Sequence, residues 1–190
     1  GLNRFDRTTG TFRRYEHDPS DPTSLSSQRV MSVIEDESGN LWVGTDGGGI
    51  NRFERSTGRF SRFLHAPQDP RSLSRDHAWF IHEDRRGDFG IGTQGGGLNH
   101  WSRRDRAEGR GAFRRYSRDD GLPSEVIYGV LEDASGSLWK RTNRGLARLD
   151  PSTGNIKSYD PHDGLQSYEF MFGAQLRSQD GTMFFGGVNG

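Results

Sequence analysis

The chain has 190 residues, in which 26 Lys+Arg balance 26 Asp+Glu, and only 29% of it is hydrophobic. A net charge of zero removes the electrostatic footprint of a nucleic-acid binder, and the absence of Cys removes disulfides, thiolate metal sites and a thiol nucleophile. No apolar run approaches the roughly 18 residues that span a bilayer, and no basic segment leading into an apolar one opens the chain, so no membrane insertion is expected.

The chain opens on Gly1-Leu2-Asn3-Arg4-Phe5, without an initiator Met, and reads as a piece excised within a repeat. The same pattern returns as Gly49-Ile50-Asn51-Arg52-Phe53, Gly97-Leu98-Asn99-His100-Trp101 and Gly145-Leu146-Ala147-Arg148-Leu149, each 48 residues after the last; Gly187-Val188-Asn189-Gly190 starts a fifth, shortened step. A period of about 40 to 50 residues points to propeller blades or helical arrays. Within one unit, Val30-Met31-Ser32-Val33-Ile34, Leu41-Trp42-Val43-Gly44-Thr45, Ile50-Asn51-Arg52-Phe53 and Arg59-Phe60-Ser61-Arg62-Phe63 are short, β-branched or aromatic, and bounded by turn residues. Asp36-Glu37-Ser38-Gly39-Asn40 and Arg55-Ser56-Thr57-Gly58 place Gly where a hairpin needs positive φ.

Four short antiparallel strands per repeat predict an all-β propeller, a single domain over 1–190 with four blade equivalents starting near 1, 49, 97 and 145. The innermost strands, A, are expected at 30–34, 78–82, 126–131 and roughly 172–177, with B, C and D stepping outward. Because the chain starts with C and D and ends with A and B, the last pair could complete the first blade. A closed small ring, half of a ring shared by two chains, and an arc of a larger propeller all fit, so a homodimer or larger assembly through blade edges is one expected partner arrangement.

Three places break the repeat. Gly90 stands where Trp42 stood, leaving a void that Trp79 or Phe80 must fill. Lys140 and Arg141 replace Val43 and Gly44 in a half-buried strand, where one of them must snorkel or pair. Phe184 takes the Trp position of the fourth repeat.

Glu35-Asp36-Glu37-Ser38-Gly39-Asn40-Leu41-Trp42-Val43-Gly44-Thr45-Asp46-Gly47-Gly48 resembles the two-component regulator propeller repeat, and the Asp18-Pro19, Asp21-Pro22, Ser24-Leu25-Ser26 linker is similar to that family too. Tyr168-Glu169-Phe170 through Gly190 resembles the family's final blade, which usually precedes an immunoglobulin-like domain. The resemblance implies the periplasmic sensor portion of a hybrid histidine kinase or membrane diguanylate cyclase, with neighbouring signalling domains as partners and a glycan as the ligand.

Periodic residues call for periodic roles. Glu35-Asp36, Glu83-Asp84 and Glu132-Asp133 close the A strands, where Asp caps the following turn rather than serving as an acid or base. Thr45-Asp46-Gly47-Gly48-Gly49 and Thr93-Gln94-Gly95-Gly96-Gly97 are B-to-C turns; they lack the Lys-Ser/Thr and the helix of a phosphate cradle. His17 and His65 cap the D-to-A linkers, and no histidine falls into a metal-ligating spacing. Phe12, Tyr15, Phe60, Phe63, Phe113 and Tyr116 on D strands are expected to pack between blades, and Arg103-Arg104-Asp105-Arg106 with Arg110 to form a solvated loop.

The B-to-C turns and D-to-A linkers share one rim, the usual ligand face, so Asp46, Gln94, Asn143 and Arg144 are the expected ligand contacts. His82, which replaces Ile34 at the end of an A strand, joins them as the least periodic histidine. Together with the resemblance, which implies the sensor role and the glycan, these residues are read as a non-catalytic sensor that recognises an extracellular carbohydrate, with no cofactor, metal or nucleic acid expected. The alternatives are a propeller lyase, which shares the Gly-Asn-Leu-Trp turn but needs a singular acid, base and metal set, and a structural interaction scaffold.

Overall fold

The computed structural model describes residues 1–188, so the fifth repeat start is seen at Gly187-Val188 while Asn189 and Gly190 lie outside the described residues. Its sixteen strands fall into blades. The first complete blade holds β3 (Val30–Glu35), β4 (Leu41–Thr45), β5 (Ile50–Glu54) and β6 (Arg59–Phe63); the second, β7 (Ala78–Glu83), β8 (Phe89–Thr93), β9 (Leu98–Trp101) and β10 (Phe113–Tyr116). The third holds β11 (Ile127–Glu132), β12 (Leu138–Thr142), β13 (Gly145–Leu149) and β14 (Ile156–Tyr159). Half-blades flank these: β1 (Leu2–Asp6) with β2 (Thr11–Tyr15), and β15 (Phe170–Arg177) with β16 (Met183–Gly187). Every paired neighbour is antiparallel.

Each complete blade packs between two neighbours, which is why the B strands β4 and β8 read as continuous apolar runs. Trp42 packs edge-on against Phe89 at 5.5 Å and Trp101 at 5.2 Å in the next blade. A second cluster joins Leu98 and Tyr116 to Ile127, Val130 and Leu138, and a third sets Tyr15 of the first half-blade on Val43, Phe53 and Phe60.

The turns follow the Asp residues as expected. Asp36 accepts from the backbone of Ser38 and Asn40 and from the Trp42 indole, while Gly39 adopts φ 79°; Asp133 does the same for Ser135, Ser137 and Trp139. The paired Glu residues turn the other way. Glu83 accepts from the Glu37 amide and Glu132 from the Arg85 amide, so each latches the turn of the preceding blade. His17 and His65 close their linkers on the carbonyls of Leu25 and Leu73.

Beside Gly90 the nearest side chains are Leu98 and Leu138, each 3.8 Å from where a Cβ would sit, rather than either expected candidate; Phe80 packs on the second cluster, which holds both leucines, and Trp79 turns toward the rim. Arg141 pairs and Lys140 does not: the Lys140 Nζ is fully buried with no hydrogen-bond partner among the described residues. Two further expectations are corrected. Phe12 is 67% exposed, because no blade covers that side of β2. The basic segment is not merely a solvated loop: Arg103–Ala107 forms a short helix, α1, that buries Arg106 against the Phe89 ring and pairs it with Glu83 at 2.7 Å and Asp36 at 3.6 Å.

The A strands β3, β7, β11 and β15 stand side by side. The pairing of the last half-blade with the first is not formed: β1–β2 and β15–β16 remain separate two-stranded sheets. The ring that a single chain would close in that way is therefore absent, and the described residues form an arc of three complete blades between two halves.

Candidate functional site

At the rim, the backbone of each B-to-C turn is tied to the linker entering the next A strand. Gly47 and Gly49 donate to the Asp76 carbonyl, Gly95 and Gly97 to that of Glu125, and Gly145 to that of Tyr168. This repeated stitching brings three positions of each blade junction together: the turn residue after the B strand, the residue before the next A strand, and the second residue of that A strand.

The last of these is a β-bulge in every blade. Pairing steps from Val30 to Ser32, from Ala78 to Phe80 and from Ile127 to Gly129, leaving Met31, Trp79 and Tyr128 outside the ladder. Such bulges re-aim a side chain, and here Met31, Trp79 and Tyr128 line one cleft of about 480 Å³ at the mouth of the arc. In β15 the same site is enlarged: pairing steps from Phe170 to Gln175, so that Met171, Phe172, Gly173 and Ala174 form a lip. Met171 and Phe172 complete the cleft wall with Phe170 and Val188. The Trp79 ring lies parallel to Tyr128 at 6.0 Å between centroids and edge-on to Phe172 at 6.1 Å.

The lip depends on Arg141, which stands where the first two blades have Gly44 and Gly92. Its guanidinium donates to the carbonyls of Met171 and Ala174 and to Gln175 Oε1, and burial pushes its pKa down to about 10. Gly129 opposite it leaves the room, since a Cβ there would sit 2.6 Å from the guanidinium.

The expected contact residues divide between places. Asn143 lines the cleft, its amide oxygen accepting from Ser124. Asp46 does not line it but holds a wall: it accepts from His77 Nδ1, from the Trp79 indole at 3.4 Å and from Arg29 at 2.9 Å. The His77 hydrogen bond is the main reason its carboxyl stays below the usual carboxylate range. Gln94 is exposed in the equivalent turn, next to Val126. Arg144 faces a separate cleft of about 430 Å³ with Arg118, Tyr159 and Tyr168. His82 lies at the far end of β7, opposite Gly90; burial lowers its pKa, and its Nε2 has no partner among the described residues.

Sequence reasoning missed Trp79, Tyr128, Phe172 and Glu169 as cleft residues. A signal was present. Counted from the A strands, Asp46, Gln94 and Asn143 are equivalent, as are Arg29, His77, Val126 and Glu169, and Met31, Trp79, Tyr128 and Met171. The caps Asp36, Asp84 and Asp133 recur in the three complete blades while these positions vary, Met alone returning, at 31 and 171. No group of three or more His, Asp or Glu among the described residues could hold a metal ion.

Comparison with known proteins agrees with this architecture. The model of the two component regulator propeller family matches residues 24–47, bearing out the resemblance carried by the first repeat. Histidine kinase P4 of Formosa agariphila is 38% identical over 71 residues, which is 37% of this chain and 5% of the kinase. The extracellular domain of a putative hybrid two component system from B. thetaiotaomicron superposes with TM-score 0.75 at 25% identity, over 97% of this chain and 23% of that one. Virginiamycin B lyase from Staphylococcus aureus shares the fold at 16% identity and TM-score 0.64, over 96% of this chain and 55% of the lyase. The chain thus spans a small part of the kinase and of the two-component relative. No helix of the described residues is long and apolar enough to cross a membrane.

Proposed function

We propose that this chain is a ligand-binding portion of an extracellular sensor propeller, without catalytic activity of its own, that recognises a carbohydrate in the periplasm and serves a two-component-type signalling protein. The observation that carries this reading is the rim cleft: the Asp caps and turns of the scaffold repeat from blade to blade, whereas the cleft brings together unlike side chains, four of them aromatic. Aromatic faces stack on the apolar faces of sugar rings, and a cleft of this volume falls within the roughly 300–1,000 Å³ of small-molecule sites. The similarity to extracellular domains of two-component proteins supports the signalling context.

The test is a thermal-shift screen of the chain against an oligosaccharide library. A ligand that binds only the folded state raises Tm as its concentration exceeds Kd. The shift is expected to vanish in Trp79→Ala and to persist in Arg144→Ala, which alters the other cleft. A library without a single hit, or a hit indifferent to Trp79, would sink this reading. The lyase alternative predicts bond cleavage in the same assay, visible as new saccharide products.

A further inference from the structure

The charge of the cleft selects among sugars. Of the side chains that line it, Glu169 is the one carboxylate and none is a Lys, Arg or His; the Glu169 side chain accepts no hydrogen bond and forms no ion pair among the described residues. The remaining wall is the π surface of Trp79, Tyr128, Phe170 and Phe172, the thioethers of Met31 and Met171, the Val188 side chain and the Asn143 amide. Nearby cations are directed elsewhere. Arg29 bridges to Asp46, and Arg141 lies behind the lip on the carbonyls of Met171 and Ala174. His77 donates to Asp46 through Nδ1.

Aromatic faces carry negative charge density and attract an ammonium group, most strongly where water is displaced. An exposed carboxylate beside them adds a point charge of the same sign. Indole, phenol and phenyl rings in parallel and perpendicular orientations, closed by a carboxylate, therefore form a partial cage for a cation. We infer that the ligand of this cleft carries a free ammonium group, as in a glucosamine-type sugar, seated between Glu169 and the Trp79–Tyr128–Phe172 wall. This rests on the carbohydrate reading above and sharpens it from sugars in general to amino sugars.

The cage also explains the roles around it. Asp46 fixes the Trp79 indole from behind, which makes it a positioning residue rather than a ligand contact, and Arg141 fixes the lip that presents Phe172. An N-acetylated sugar has the same ring but no charge, and a uronate would bring a carboxylate against Glu169.

The experiment is a tryptophan-fluorescence titration of the whole chain with four probes: glucosamine tetrasaccharide, its fully N-acetylated counterpart, tetragalacturonate and choline. It is run at about pH 6, where alkylamines are charged, and repeated at high salt. The glucosamine probe is expected to bind at least about tenfold more tightly than the N-acetylated one. That preference should be lost in Glu169→Gln, whose exposed side chain leaves the fold intact, and all binding should be lost in Trp79→Ala. Equal or tighter binding of the N-acetylated or galacturonate probe would overturn the ammonium inference while leaving the carbohydrate reading standing. Binding of choline without any sugar would keep the ammonium site and remove the carbohydrate. No binding by any probe would overturn both.

Discussion

Lys140 occupies the place that Val43 holds in the first blade and Ile91 in the second, and its side chain keeps the apolar surroundings that those residues have. Its Nζ lies 5.7 Å from the Tyr116 ring and has no polar partner among the described residues. Burial alone pushes its pKa from 10.5 down to about 7. Between those values the unfolded chain holds the proton that the folded chain has released, so stability rises with pH from about 7 upward and is lowest below it. At 1.36 kcal/mol per pH unit the cost in acid is on the order of 5 kcal/mol. Tyr116 stays neutral over most of this window because burial raises its phenol pKa. Lys140→Met keeps the stem and removes the charge. We expect it to be more stable than the parent by a few kcal/mol at about pH 6, with the gain shrinking toward pH 9, as read from urea unfolding at both values. A variant no more stable at the lower pH would show that the ammonium reaches water.

Arg106 presents the opposite case, a buried cation whose partners come from two blades. It contacts Asp36 at the end of the first blade's A strand and Glu83 at the end of the second's, and its guanidinium lies 3.6 Å from the centre of the Phe89 ring. Removing one member of a buried ionic cluster leaves the others uncompensated. Arg106→Ala should therefore cost about 3–5 kcal/mol in denaturant unfolding, several times the effect of Arg104→Ala, whose guanidinium is exposed and pairs only with Glu108. Equal effects of the two substitutions would remove the bridging role assigned to Arg106.

At the scale of the element, the blade is legible because its determinants lie within about 20 residues of each other. The Asp cap, its glycine and the following Trp specify the A-to-B hairpin, and the period of 48 places the A strands. What could not be read were contacts whose partner lies in the next repeat: the Glu83 and Glu132 latches, the Arg106 bridge, and Arg141 on the lip. In each case a residue unremarkable in its own repeat gains its role from a backbone or carboxylate group about 20 to 70 residues away, and no local spacing encodes that. That the B-to-C turns meet the linkers at one rim follows from topology, whereas the bulge residues lining its cleft leave no composition signal. Arg141 tests this directly. Arg141→Gly restores the residue of the other blades and deprives the lip of its clamp. Amide exchange is expected to accelerate over 171–175 and to stay unchanged over 41–45, where Trp42 and its neighbours are buried. Uniform acceleration would mean that Arg141 supports the whole arc rather than the lip.

At the scale of the molecule, the arc leaves two sheet edges and two apolar faces uncovered. Phe5 and Phe12 on one side are 51% and 67% exposed; Leu176 and Phe184 on the other are 59% and 55% exposed. The edges are complementary, since β16 is a B strand lacking its C strand and β1 is a C strand lacking its B strand. Counting from the pairing of Trp42 with Arg52 and Val43 with Asn51, the composite blade would set Phe184 opposite Arg4 and Phe185 opposite Asn3. An interface of this kind joins two different surfaces, so it closes when the curvature permits and otherwise extends. Two copies would supply six complete blades and two composite ones. Light scattering over a dilution series is expected to give a mass above 21.4 kDa that rises with concentration, levelling at two chains if the ring closes and continuing upward if it does not. Phe184→Lys places a charge on the exposed face at the joint, as natural edge strands do to prevent pairing, and should return the mass toward that of one chain. A parent chain that remains monomeric at every concentration would show that β1 and β16 are covered in solution, because two complementary unpaired edges flanked by exposed aromatic side chains do not stay apart as concentration rises.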